Sequence, residues 1–202
     1  MEEEQEGITL PELVTMGDPA LSRPCGPVEV AEIGTPEFQE RLAVLESCMV
    51  AYLGVGIAAP QIGWRARVFV MVEERLDENG EEAPRLLHWV NPEIVRLSEE
   101  HNWAWEGCLS VPGLRGWLRR PAAVGVRGLD ARGQEVSREF SGWNARVFQH
   151  EFDHLEGMLF PYRAQDPRHI VTLEALDGRE DWPQDWPAPG ARDTPMGEVT
   201  PE

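Results

Sequence analysis

The chain contains no lysine: all eighteen of its positive residues are arginine, against thirty-six aspartates and glutamates. The resulting net charge of −18 sets up a field that repels phosphate, which argues against intrinsic affinity for nucleic acid or an anionic membrane. A lysine-free composition rich in Arg, Pro and Gly fits a GC-rich coding sequence, with halophily or drift as other origins. Cysteine is scarce. Three residues, Cys25, Cys48 and Cys108, irregularly spaced, build no disulfide framework and favour a reducing compartment. No apolar run reaches the roughly 18 residues that a membrane helix needs, and the start, Met1-Glu2-Glu3-Glu4-Gln5-Glu6, is acidic rather than cationic. No secretory, transit or membrane segment is therefore expected; cytoplasm is the default, with a mature organellar form as the other setting.

What is present fits one domain. At 202 residues with 42% hydrophobic content, the chain can bury a sizeable core. Residues 35–53 read as a helix with Phe38, Leu42, Leu45, Cys48, Met49 and Tyr52 on its apolar stripe. Strands are expected over 67–73, 86–97, 118–126 and 134–140. An exposed, mobile acidic loop is expected over 74–85, and a tight turn at Asp130-Ala131-Arg132-Gly133. Strands around one helix give an α+β class. Residues 177–202 hold five prolines, seven acids and two arginines without periodicity, and read as a flexible acidic tail following a 1–176 domain. Trp182 and Trp186 stand out in it as aromatics able to pack back on the domain or bind a partner.

Chemistry concentrates in Gln149-His150-Glu151-Phe152-Asp153-His154. Residues four apart share a helix face, so His150 and His154 can meet one ion while Glu151 lies about 100° round, placed to move a proton. Ser141 is the expected N-cap and Gly157 the left-handed C′ residue, which puts Trp143, Val147, His150 and His154 on one inward stripe. A catalytic metal takes three protein ligands and leaves one position open. Cys108, in Trp105-Glu106-Gly107-Cys108-Leu109-Ser110 beside a loop glycine, is the candidate third ligand; Cys25 and Cys48 read as small buried hydrophobes. A further glycine-rich stretch, Gly54-Val55-Gly56-Ile57-Ala58-Ala59-Pro60-Gln61, lets backbone approach a ligand closely. His88, His101 and His169 read as surface or satisfied histidines, and Trp103, Trp105 and Trp143 as residues bordering a groove.

In this order the three motifs resemble those of the peptide deformylases, over about residues 10–176. The resemblance implies antiparallel sheets around a central metal-binding helix. It also implies a metal bound by Cys108, His150 and His154, with Glu151 as general acid/base. Gln61 and the Leu109 backbone N–H would stabilise the oxyanion, such donors contributing ~3 kcal/mol each. Gly56 would hydrogen-bond the peptide backbone, Val55 and Val147 would wall an apolar side chain, and Glu106 and Arg120 would form a structural ion pair. The substrate implied is the formyl-methionine end of newly made proteins, released as formate and a free amine. Ligand type suits zinc and iron alike; the resemblance implies Fe2+, with Zn2+ or Ni2+ able to substitute. It also sets this tail apart from the basic, ribosome-docking C-terminal helix of enterobacterial relatives, leaving only transient ribosome proximity. Two rival readings remain: a His-Glu-x-x-His metallopeptidase cutting internal peptide bonds, and a non-catalytic protein that keeps the metal for structure or binds formyl-peptides without turnover.

Overall fold

The computed structural model describes residues 10–202; the acidic start, Met1 to Glu6, lies outside them. Helix α1 (Val30–Ile33) leads into α2 (Pro36–Ala51), whose first turn is fixed by Pro36 and by Thr35 Oγ1 accepting from the Phe38 N–H at 3.3 Å. Phe38, Leu42, Leu45, Cys48 and Met49 are buried along α2, as the periodicity predicts, whereas Tyr52, at the frayed C-cap, is 40% exposed and leaves the stripe.

Two antiparallel sheets follow. The first has the order β1-β2-β3-β6-β7, formed by β1 (Gly56–Ala58), β2 (Val68–Glu73), β3 (Arg85–Leu97), β6 (Ala123–Leu129) and β7 (Glu135–Ser141). The second has the order β8-β5-β4-β9, formed by β4 (His101–Cys108), β5 (Val111–Pro121), β8 (Ile170–Thr172) and β9 (Thr200–Pro201). The strand expected over 118–126 is thus two strands. The chain passes from one sheet to the other at Pro121–Ala123, where the Pro ring cannot donate to a ladder. Strand β4 escapes the sequence pattern because both of its faces are covered, so it shows no apolar–polar alternation. The 130–133 turn forms as expected: Asp130 Oδ1 accepts from Arg132 N at 2.8 Å and Gln134 N at 2.9 Å, with Gly133 at φ +75°.

Helix α3 (Gly142–Leu155) packs against β1, β2, β5, β6 and β7. Phe148 holds it there, its ring 5.1 Å from both Phe69 and Trp89 in edge-on geometry. Ser141 makes no side-chain cap; it is the last residue of β7, so the strand's own geometry delivers the chain into the helix. The C-terminal stop is as expected. Gly157 has φ +72°, Met158 N donates to Asp153 O at 2.9 Å and Gly157 N to His154 O at 3.2 Å, a Schellman pair. A Cβ on Gly157 would lie 2.6 Å from the Arg23 backbone nitrogen, so glycine is required twice over.

The end of the chain departs from the expected flexible tail. After α4 (Leu173–Asp177), residues 178–202 fold back on the second sheet. Trp105 Nε1 donates to Ala191 O at 2.7 Å, Trp182 packs 6.2 Å from Trp105, and β9 pairs with β4 at Asn102 and Trp103. Low hydrophobicity misleads here because three apolar residues, Trp182, Ala188 and Ala191, join Leu176 of α4 where Trp105 and Trp117 need a cover. Trp186, 38% exposed, stays outside that cluster. The acidic 74–85 loop is tied at its base, where Asn144 accepts from Glu74 N at 2.8 Å and donates to Glu74 O at 2.7 Å. Among the described residues no helix is long and apolar enough to cross a membrane.

Candidate metal centre and active site

The three sequence motifs converge on one cleft of about 420 Å³, lined by Val55, Gly56, Gln61, Cys108, Leu109, Trp143, Val147, His150 and Glu151 among others. Each motif arrives on its own element. Gly56 is in β1, Gln61 in the short 3-10 turn Ala59–Ile62 that follows it, Cys108 at the end of β4, and His150, Glu151 and His154 on α3. The glycine-rich stretch is therefore not a turn throughout, since Gly56–Ala58 pairs with β2.

One ligand atom each from Cys108, His150 and His154 lie within 4.8 Å of one another, with Cys108 Sγ 3.2 Å from His154 Nε2. Thiolate and imidazole at this spacing fit a single divalent ion. Two buried polar atoms of the site, Glu151 Oε2 and His154 Nδ1, also lack a partner among the described residues. His150 Nδ1 is held by Glu106 Oε2 at 3.0 Å, which fixes the ring and leaves Nε2 free to ligate. A register slip between Glu106 and Cys108 re-aims the end of β4 at this point. Arg115 lies against the intervening glycine: a Cβ at Gly107 would be 2.7 Å from its guanidinium.

Gly56 is required for a similar reason. A Cβ there would overlap the Glu151 carboxylate at 2.5 Å, so only glycine lets β1 pass this close to α3. Burial pushes the Glu151 carboxyl up to about 7, with His150 opposing and Glu106 reinforcing the shift. Burial also keeps His154 well below the usual imidazole range, helped by neighbouring His150 and Arg120, and so neutral for ligation. His150 goes the other way: burial opposes its charge, but hydrogen bonds to Cys108 and Glu106 hold it well above the ordinary value. Gln61 is preorganised. Its Oε1 accepts from Ala58 N at 2.8 Å, which turns Nε2 toward Ser110 Oγ at 3.1 Å and Cys108 Sγ at 3.6 Å.

Below the cleft lies a buried charge network, of which the sequence pointed only to Glu106 and Arg120. Arg120 binds Glu106 with two bonds, 2.6 and 2.8 Å, and Asp153 Oδ2 at 2.8 Å. Arg146 adds a bond to Glu106 Oε1 at 2.7 Å and one to Asn102 Oδ1 at 2.6 Å, and Arg163 grips Asp153 at 2.6 Å. Burial would raise the Glu106 carboxyl, but Arg120, His150 and Arg146 hold it well below the usual carboxylate range. Arg146 and Asp153 are seven apart on α3, hence on one buried face, and that spacing was the available signal for them.

Of the tryptophans, Trp143 lines the cleft, while Trp103 and Trp105 do not. Alternation along β4 sends Glu106 to the α3 side and Trp103 and Trp105 to the opposite face, where they pack with Trp117. Cys25 and Cys48 are buried away from the cleft. His88 and His101 are satisfied, by Glu46 Oε1 at 2.6 Å and Glu99 O at 2.7 Å. His169 differs: it is 8% exposed, edge-on to Trp103, with Nδ1 unpartnered among the described residues.

The family model for polypeptide deformylase matches residues 10–169. The chain belongs to the polypeptide deformylase family. It is 40% identical over 165 residues to peptide deformylase 1 of Nitrosomonas europaea, covering 81% of this chain and 93% of that one. With the chloroplastic peptide deformylase 1A of Solanum lycopersicum it shares 35% identity over 186 residues, covering 86% of this chain and 66% of that one. The crystal structure of a class I type b peptide deformylase from Acinetobacter baumannii with Met-Ala-Ser bound superposes with a TM-score of 0.70. That match has 34% identity and covers 77% of this chain and 98% of that chain. As a member of the family, the protein is a metal-dependent hydrolase that removes the N-formyl group from nascent peptides. The internal-bond metallopeptidase reading is not favoured.

Proposed function

We propose that Cys108, His150 and His154 hold one divalent ion, Fe2+ in the cell with Zn2+ or Ni2+ able to substitute, and that Glu151 is the general acid/base. The observation that carries this reading is the meeting of three ligand atoms within 4.8 Å in the cleft that also holds the buried Glu151 carboxylate. A bound divalent ion supplies Lewis acidity, lowering the pKa of water toward 7 and polarising the formyl carbonyl.

The chain's own residues do the rest. Glu151, poised near neutrality by burial, accepts the proton of the attacking water and returns it to the departing amine, so that formamide and water become formate and a free N-terminus. Gln61 Nε2, fixed through its own carbonyl by Ala58 N–H, and the Leu109 backbone N–H face the charge that grows on the formyl oxygen. Gly56 offers its backbone to the peptide. Val147, buried, and Val55, at the rim, wall an apolar side chain, which suits methionine. The setting is the cytoplasm. The last α-helix, Leu173–Asp177, is acidic, so ribosome contact is limited to transient proximity to emerging formyl-methionyl chains.

Formate release from formyl-Met-Ala-Ser by protein reconstituted with iron(II), nickel or zinc tests the reading, with an N-blocked peptide as control. Formate from the first substrate alone is expected; cleavage of the blocked peptide overturns the assignment. The iron form should lose activity in air within hours while the nickel form persists, because a thiolate centre bearing iron is open to oxidation. Equal decay of the two forms overturns the iron assignment.

A further inference from the structure

The family match ends at residue 169, so the last 25 residues, 178–202, belong to no part of it. Yet this segment reaches the active-site cleft: Met196 and Gly197 line the same cavity as Trp143, Val147 and His150. It is fastened on both sides of that point. Upstream, Trp105 Nε1 donates to Ala191 O, and Thr194 Oγ1 donates to Gly190 O at 2.8 Å. Downstream, Thr194 and Thr200 share a hydroxyl bond of 2.7 Å across the base of the loop, β9 pairs with β4, and Arg119 holds Glu202 with bonds of 2.7 and 2.6 Å. Val199 leans on the first turn of α3, its Cγ2 4.0 Å from where a Gly142 Cβ would be.

From this we infer that loop 195–199 is an added wall of the peptide cleft, and that Met196 is a specificity-determining residue contacting side chains that follow the formyl-methionine. The position supports the later residues rather than the first. Gly142 and Trp143 precede His150 by seven or eight positions, about 10–12 Å along the helix axis at 1.5 Å per residue. An extended peptide advances about 3.3–3.6 Å per residue, so it spans that distance with its second and third residues. Met196 is 42% exposed at the mouth, whereas Val147 in the depth of the cleft is 4% exposed. A thioether on a flexible stem adapts to varied apolar partners, so apolar side chains after the methionine are the ones this wall favours.

This inference rests on the deformylase reading of the cleft, and the test separates the two. Wild type, Met196→Glu and Met196→Leu are compared on formyl-Met-amide, which ends before the wall, and on formyl-Met-Leu-Phe, which reaches it. Met196→Glu should raise KM for the tripeptide about tenfold with kcat within twofold, change kcat/KM for formyl-Met-amide by twofold or less, and leave Tm within a degree or two. Met196→Leu should restore the tripeptide KM. Equal losses on both substrates, or no loss on either, overturn the wall. Absence of formate from both substrates with wild-type protein overturns the deformylase reading, and the wall with it.

Discussion

On one face of β4, Asn102 and Glu106 turn toward α3 and meet charged partners, and Cys108 meets His154; on the other, Trp103 stacks on Trp117 and Trp105 packs against it at a tilt, beneath the folded-back C-terminal segment. The two faces teach different lessons about cover. The inner face is made of groups that cannot be left alone, because each buried charge there relies on a named partner. The outer face is apolar area with buried indole N–H groups, and a segment outside the family match supplies the cover and the acceptor for one of them, Trp105 Nε1; that of Trp117 has no partner among the described residues.

The largest break in this comparison comes from the inner side. Glu151→Gln keeps shape but cannot accept a proton, so turnover should fall roughly 10²–10⁴-fold while metal content, read by atomic absorption, is retained. Equal loss of metal and activity would make Glu151 a structural residue. Cys108→Ser acts one step earlier. Removing even an outer partner of a ligand costs about 10–100-fold in metal affinity, so losing the thiolate should cost at least about tenfold, read by chelator competition. Unchanged affinity would mean that another residue completes the set.

Glu106→Ala sharpens the contrast in stability. It leaves Arg146 without its buried carboxylate and Arg120 to Asp153, both arginines nearly fully buried, and frees the His150 ring. Breaking such a pair from one side costs about 3–5 kcal/mol, which should lower the melting temperature by roughly 10 °C in a chain of this size. A shift under a few degrees would show that the network relaxes to water.

Truncation after Asp177 tests the outer face. It uncovers Trp105 and Trp117 and removes the acceptor of Trp105 Nε1, a loss of about 1–3 kcal/mol from that bond alone. Melting should fall by several degrees while formyl-Met-amide is still turned over. An unchanged melting temperature would restore the picture of a flexible tail. The smallest effect belongs to Arg119→Ala, which removes a surface pair with Glu202 and should barely move the melting curve.

Sequence alone determined the parts that depend on near neighbours. His150, Glu151 and His154 share a helix by their spacing, Gly157 stops it, Asp130–Gly133 turns, and the α2 stripe from Phe38 to Met49 finds the core, because helix periodicity and turn chemistry act within a few residues. Composition over 178–202 could not show that segment's place, since its few apolar residues matter only once Trp105 and Trp117 offer them a surface. Nor could it show that Arg146 and Asp153 close the network under Glu106, or that Met196 reaches a cleft forty-six residues back along the chain at His150. Those outcomes were decided by tertiary structure. Burial turns a distant charge into a required partner and an exposed tryptophan face into a docking surface, and neither effect exists until the sheets have closed around α3.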